Sequence, residues 1–303
     1  MVVIQALKKE IKRNGSLYLL VAPVVVYYLV FAYVPIFNNV IAFKHYLPAR
    51  GIWGSDWAGF KYFNDFFTSP YFGRVLWNTV KLSTVSIIFA FPAPILLALL
   101  VNELKSRRYS RVVQTASYLP HFISIVVVCS MIKEFVANDG IITIVLGFFG
   151  FPNVNMLNEP ELFVPIYIIS DIWQGIGWGS IIYLAALTGI SPELYESAKI
   201  DGANKWVQLI RITIPSIIPT IIIMLILRIG SFMNVGFEKI ILLQNPLIYE
   251  TSDIIASYVY REGILSRSYS FASAVGLFNS VVNCTLIVGA NYIGRRYNGT
   301  SIF

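Results

Sequence analysis

Charge is what this sequence lacks most. Asp, Glu, Lys and Arg make up 13% of its 303 residues, about half the share of an ordinary soluble domain. That scarcity, beside 56% hydrophobic residues, excludes both a disordered chain and a soluble globular enzyme. Cysteine is scarce too: Cys129 and Cys284 stand inside apolar runs and give no disulfide framework. The two histidines, His45 and His121, are too far apart in sequence to suggest a metal cluster. No Gly-x-x-x-x-Gly-Lys-[Ser/Thr] phosphate loop occurs, so the chain carries no ATP-hydrolysing motif of its own. No Ser/His/Asp arrangement suggests itself. The absence of an internal repeat counts against an inverted-repeat secondary transporter.

What is present is apolar length. Mean hydropathy is +0.68, and six stretches match the roughly 20 apolar residues that span a bilayer. They fall at about 17–43, 75–101, 112–135, 162–187, 214–237 and 270–294. The expected fold is an all-α membrane protein, with one transmembrane domain over 1–303. Pro23 and Pro35 in the first span predict a tilt or kink. That run is too long for a cleavable signal peptide. Asp139 to Phe151 is too short to span and reads as an interfacial or re-entrant helix.

The net charge of +7 reads as loop charge that sets topology, not as a nucleic-acid footprint. If both termini share one side, the loops there (1–16, 102–111, 188–213 and 295–303) hold thirteen basic residues in 61. The opposite loops, 44–74, 136–161 and 238–269, hold seven in 89. The positive-inside rule therefore predicts that both termini are cytoplasmic.

One cytoplasmic loop, 188–213, is more than a connector. Ser191 suits an N-cap and Pro192 the first helical position, with Glu193 and Glu196 in the first turns, where the helix dipole favours acid. Gly202 ends that helix in a tight turn, where a Cβ is expected to clash. Trp206, Leu209 and Ile210 recur at helical spacing and predict a second short amphipathic helix, with Pro215 opening span five. The small residues Ser197, Ala198, Gly202 and Ala203 admit close approach by another backbone.

This loop resembles the EAA loop of binding-protein-dependent ABC importer permeases. Their pattern is Glu-Ala-Ala, three residues, Gly, nine residues, Ile-x-Leu-Pro. Glu196, Ala198, Gly202, Ile212 and Pro215 match it, with Ser197 for Ala and Ile214 for Leu. The Asp201-Gly202-Ala203 run is similar to the carbohydrate branch, as are Trp57-Ala58-Gly59-Phe60, Asn78-Thr79 and Tyr183-Leu184-Ala185-Ala186-Leu187. The run from Leu227 to Glu238 resembles the subgroup that takes up oligosaccharides and polysaccharide fragments.

The resemblance implies a type I importer transmembrane domain in the plasma membrane of a prokaryote. Its first helix wraps a second, homologous permease in a heterodimer. The implied partners are two ATPase subunits, which bind ATP and Mg, and an extracytoplasmic solute-binding protein that delivers carbohydrate. Glu196, Ser197, Ala198, Asp201, Gly202, Ala203 and Trp206 become the ATPase-coupling residues. No cofactor is implied in this chain itself.

Candidate residues for the substrate path are Arg228, Asp171, Trp173, Asn234, Asn279 and Asn283. A charge at the centre of a span costs about 2.5–3.5 kcal/mol on insertion scales, so Arg228 should face a cavity or a carboxylate, with Asp171 as a candidate partner. Asn279 and Asn283 lie four apart, on one face of span six; such polar residues also glue membrane helices together. Two alternatives stand beside sugar import. One is an ABC permease for another small solute. The other is an ion-coupled secondary transporter, which needs an acidic or His relay where the spans offer mainly Asp171.

Overall fold

The computed structural model describes residues 13–299. These are helical apart from loops and one short antiparallel hairpin, which pairs Lys44–His45 with Asp56–Trp57. Four helices are long and apolar enough to cross a membrane: Gly15–Phe43, Phe72–Asn102, Lys205–Gly230 and Tyr269–Arg296. Arg107–Phe122 and Ile125–Phe135 pass the same test only as a pair, bent by 98°. The expected unbroken span at 112–135 is therefore corrected. Pro120 sits in a 3-10 turn, and Ile123 and Ser124 are extended before the next helix starts. Helix Pro160–Thr188 has 29 residues and is about 43 Å long, but Ser170, Asp171 and Gln174 dilute its apolar character. Ile141–Gly147 forms the short helix expected between Asp139 and Phe151.

The chain divides into two compact units. The first runs to Thr68 and includes Glu262–Leu277. Its long helix, Gly15–Phe43, buries none of its most apolar stretch, as a helix facing lipid or another chain must. Its hairpin is tied down by Ser270, whose hydroxyl donates to Lys44 O at 2.6 Å and accepts from Tyr46 N at 3.0 Å. The second unit holds Ser69–Arg261 and the chain from Phe278 onward. Its main core joins Leu82, Val128, Phe163, Tyr167, Ile240, Leu243 and Ile254. Gly177 lets helix Pro160–Thr188 cross directly over Ser117, where a Cβ would overlap the Ser117 carbonyl.

Three prolines within long helices, Pro35, Pro92 and Pro215, are accommodated in one repeated way, whereas Pro23, Pro165 and Pro219 sit in α-helix without it. π-helical turns at Leu29–Tyr33, Ser86–Ala90 and Leu209–Thr213 each end two residues before a proline: Pro35, Pro92 and Pro215. In each, the residue before the proline donates five residues back: Val34 to Leu29, Phe91 to Ser86 and Ile214 to Leu209. A proline has no N–H, and its ring crowds the carbonyl four residues back. Widening the preceding turn relieves that crowding without ending the helix. The kink expected at Pro35 is thus a π turn inside a continuous helix. For the same reason the second amphipathic helix and span five are one helix, Lys205–Gly230. That helix stops at Gly230, short of the expected end at 237. A 3-10 turn, Phe232–Asn234, and a separate helix, Phe237–Leu243, follow.

The broken backbone beyond Gly230 needs hydrogen-bond partners, because hydrocarbon supplies none. One stripe on Phe72–Asn102 provides them. Asn78 donates to Glu250 O and Asp253 O at 2.9 and 3.1 Å. Thr79 Oγ1 accepts from Ile255 N at 2.9 Å, and Ser83 donates to Phe232 O at 2.5 Å. From the last long helix, Asn283 Oδ1 accepts from Met233 N at 2.9 Å.

These contacts predict that Asn78→Leu strands two carbonyls. Leaving a buried polar group unpaired costs about 1–3 kcal/mol, so the melting temperature of the detergent-purified protein should drop clearly. Leu82→Met, one turn further along the same helix, should leave it nearly unchanged.

Candidate functional site

The loop 188–213 folds as its residues dictate. Ser191 Oγ caps helix Pro192–Ile200 by accepting from Glu193 N at 3.3 Å. Asn204 caps the next helix by accepting from Val207 N at 3.0 Å. Gly202 makes the turn between them at φ +77°, a left-handed conformation that β-carbons disfavour. The space around it is open, so the expected clash is corrected: the glycine is required by backbone conformation, not by crowding. Gln208 Nε2 donates to Ala203 O at 2.8 Å, and Tyr195 and Thr213 share a hydrogen bond of 3.0 Å. Lys205 pairs with Glu103 at 2.9 Å, joining the loop to the end of Phe72–Asn102.

This fixed turn leaves a surface unfilled. Ala198, Asp201, Gly202, Ala203, Gln208 and Arg211 line a groove of about 340 Å³. Ile200 is 86% exposed and Trp206 72%; Glu196, Ser197 and Asp201 are exposed beside them. Large apolar side chains standing out of a braced turn beside small residues are the features of a docking knob.

The intramembrane candidates separate. Arg228 and Asn234 line one small cavity with Ser83, Ser231 and Gly236. Arg228 donates to Ser86 Oγ at 2.6 Å and does not pair with Asp171, which corrects that expectation. Asp171 instead lies 3.8 Å from Lys239. Lys239 is 4% exposed and its Nζ, without a hydrogen bond, stands 5.2 Å from the centre of the Tyr167 ring. The sequence places Lys239 in an outer loop; the break after Gly230 turns helix Phe237–Leu243 back into the core. Asn283 is occupied with Met233 N, while Asn279 is buried with its Oδ1 unpartnered. Trp173 lies apart, in an apolar groove with Val128, Met131 and Pro165.

Sequence reasoning also missed Asp253. It is fully buried and held by Arg261 at 2.8 Å and Arg74 at 3.2 Å. Burial works against the Arg261 guanidinium, but its hydrogen bonds to Asp253 prevail and raise its pKa above the ordinary value. The available signal was an acid directly ahead of the apolar stretch Ile254-Ile255-Ala256. Among the described residues, no group of His, Cys, Asp and Glu could hold a metal ion.

A multi-pass helical chain with a braced, protruding loop between two long helices is the build of a transport permease. The model of the family described as binding-protein-dependent transport system inner membrane component matches residues 90–299, and the chain belongs to that family. Members are transport subunits, and the fold is the transmembrane domain of a type I ABC importer.

The chain is 44% identical over 294 residues to Protein LplB of Bacillus subtilis (strain 168), covering 97% of this chain and 92% of that one. It is 42% identical over 288 residues to the polygalacturonan/rhamnogalacturonan transport system permease protein YteP of the same organism, covering 95% and 90%. Among solved structures it superposes with a TM-score of 0.90, at 44% identity, on a chain of a bacterial ABC transporter involved in the import of the acidic polysaccharide alginate. The match covers 97% of this chain and 99% of that one. The same figures hold for that transporter in complex with an alginate pentasaccharide-bound periplasmic protein.

The Lys239–Asp171 pair yields a direct test. Lys239 is buried while the Asp171 side chain is 32% exposed, so removing the carboxylate strands a buried ammonium at a cost of about 1–3 kcal/mol, whereas replacing both is often near neutral. Asp171→Asn should therefore lower the melting temperature strongly, and adding Lys239→Met should restore most of the loss. Adding Arg228→Met instead should restore none.

Proposed function

We propose that this chain is the permease subunit of an ATP-driven oligosaccharide importer and forms half of its translocation pathway. The substrate class is supported by YteP, whose name gives polygalacturonan/rhamnogalacturonan transport, and by the solved transporter that imports the acidic polysaccharide alginate. Six spans form one permease domain over 1–303, with both termini cytoplasmic in a prokaryotic plasma membrane. A second, homologous permease completes the pathway as a heterodimer. Two ATPase subunits bind ATP and Mg, and an extracytoplasmic binding protein delivers the sugar. Alternating access then follows from closure of the ATPase pair, which draws the two coupling loops together and opens the cavity outward.

The observation that carries this reading is the protruding turn of 188–213. Glu196, Ser197, Ala198, Asp201, Gly202, Ala203 and Trp206 make the coupling surface, with Ile200 and Trp206 as its exposed apolar anchors. The continuous helix Lys205–Gly230 passes a displacement of that surface into the membrane.

Two experiments test it. Ala198→Arg overfills the groove, and Gly202→Val puts a β-branched residue at a positive φ. Both variants should insert normally yet lose co-purification with the ATPase, or keep it while sugar-stimulated ATP hydrolysis falls to the basal rate. Parental association and stimulation in both would refute the coupling assignment. For topology, a thiol placed at Asn155 should react with an impermeant reagent from outside and one at Ser106 should not. The reverse pattern would put the coupling loop on the wrong side.

A further inference from the structure

Arg228 is a cation without a counter-charge. Its guanidinium is half-buried near the end of helix Lys205–Gly230, and it donates to Ser86 Oγ at 2.6 Å. No carboxylate among the described residues pairs with it. The intramembrane acid Asp171 lies 3.8 Å from Lys239, whose Nζ stands 5.2 Å from the centre of the Tyr167 ring, and the Tyr167 hydroxyl packs against Gly236 in the wall of the Arg228 cavity. With Asp171 facing Lys239, the Arg228 guanidinium is left as the excess positive charge of its cavity.

A hydroxyl does not neutralise a guanidinium. Arg presents five N–H donors in a planar fork that matches a carboxylate through two parallel bonds. The cavity it faces is about 40 Å³, walled by Ser83, Ser231, Phe232, Asn234 and Gly236. That volume admits a group of a few atoms and not a pyranose ring. Ser231 and Asn234 are exposed at its edge, so a chain lying across the mouth could present one small charged substituent inward. Ser83 is already committed to Phe232 O, which leaves Arg228 as the group to receive it.

We propose that Arg228 reads a carboxylate on the translocated chain, which makes the cargo a uronate-containing oligosaccharide. The inference rests on the carbohydrate reading above and adds the residue of this chain that senses the charge of the substrate. Neutral sugars leave the excess charge of the site uncompensated; a uronate completes it as it passes.

The test uses the assembled transporter, both permeases with the ATPases, purified in detergent and free of binding protein. The probes are a uronic-acid trisaccharide and its fully methyl-esterified form, which keeps shape and loses charge. The parent should bind the acid at least roughly ten-fold more tightly than the ester, the worth of a single charge-assisted contact. Arg228→Gln should erase that preference, and Arg228→Lys should keep part of it, because charge remains and the fork is lost. Melting temperatures of the variant complexes report folding; where Arg228→Gln fails to assemble, the parent's own discrimination and Arg228→Lys decide. Equal affinity of the parent for acid and ester overturns the proposal, and so does a preference unchanged in Arg228→Gln. If both trisaccharides are also taken up by reconstituted vesicles, equal affinity leaves carbohydrate import standing and removes only the role of Arg228. If neither binds nor enters, the carbohydrate reading itself falls and the proposal with it.

Discussion

Backbone polar groups inside a bilayer must find partners within the protein, and this constraint organises the second unit. The long helix stops at Gly230, and the chain breaks into short helices and turns before Ile255. Each exposed stretch of backbone is met by a short polar side chain on a neighbouring helix. Asn78, Thr79 and Ser83 recur at helical spacing on Phe72–Asn102, and Asn283 answers from the other side. Ser86 continues the same stripe and holds Arg228. Without the stripe the break after Gly230 would be untenable in hydrocarbon. Without the break, Lys239 would not reach Asp171, and the small cavity at Arg228 would not form.

Continuity is the complementary requirement. π turns before Pro35, Pro92 and Pro215 keep the long helices unbroken where proline would otherwise interrupt them. The consequence is greatest for Lys205–Gly230. Trp206 stands at one end of that helix and Arg228 at the other, about 33 Å apart along its axis. One continuous helix therefore joins the proposed coupling surface to the polar cavity at Arg228. Two capped turns and the Tyr195–Thr213 hydrogen bond fix the loop at its outer end. The Lys205–Glu103 pair adds a tie to the adjoining helix.

Much of this was legible in the sequence, because its signals are local. The Ser191 cap, the Pro192 start and the Gly202 turn depend on residues within one or two helical turns, and each forms as read. The motif spacing pointed to the family for the same reason. What escaped was partner choice at long range. Asp171 was matched to Arg228 because both lie in apolar spans, whereas Lys239 looked like an outer-loop charge. Only the fold-back after Gly230 reverses those roles. The bend near Pro120 was missed because the apolar run continues through it. Asn283 allows two readings, sugar ligand or helix glue, and its Oδ1 accepts from Met233 N, as the second has it. Such assignments turn on where broken backbone comes to rest, which periodicity does not reveal.

The proposed transport is driven by ATP hydrolysed on another subunit and not by an ion gradient. The most direct measurement is oligosaccharide accumulation in vesicles reconstituted with both permeases, the ATPases and loaded binding protein, with every ion gradient collapsed. The account predicts accumulation that starts with MgATP and stops when ATP is withheld. Accumulation driven by an imposed proton or sodium gradient in the absence of ATP would contradict it.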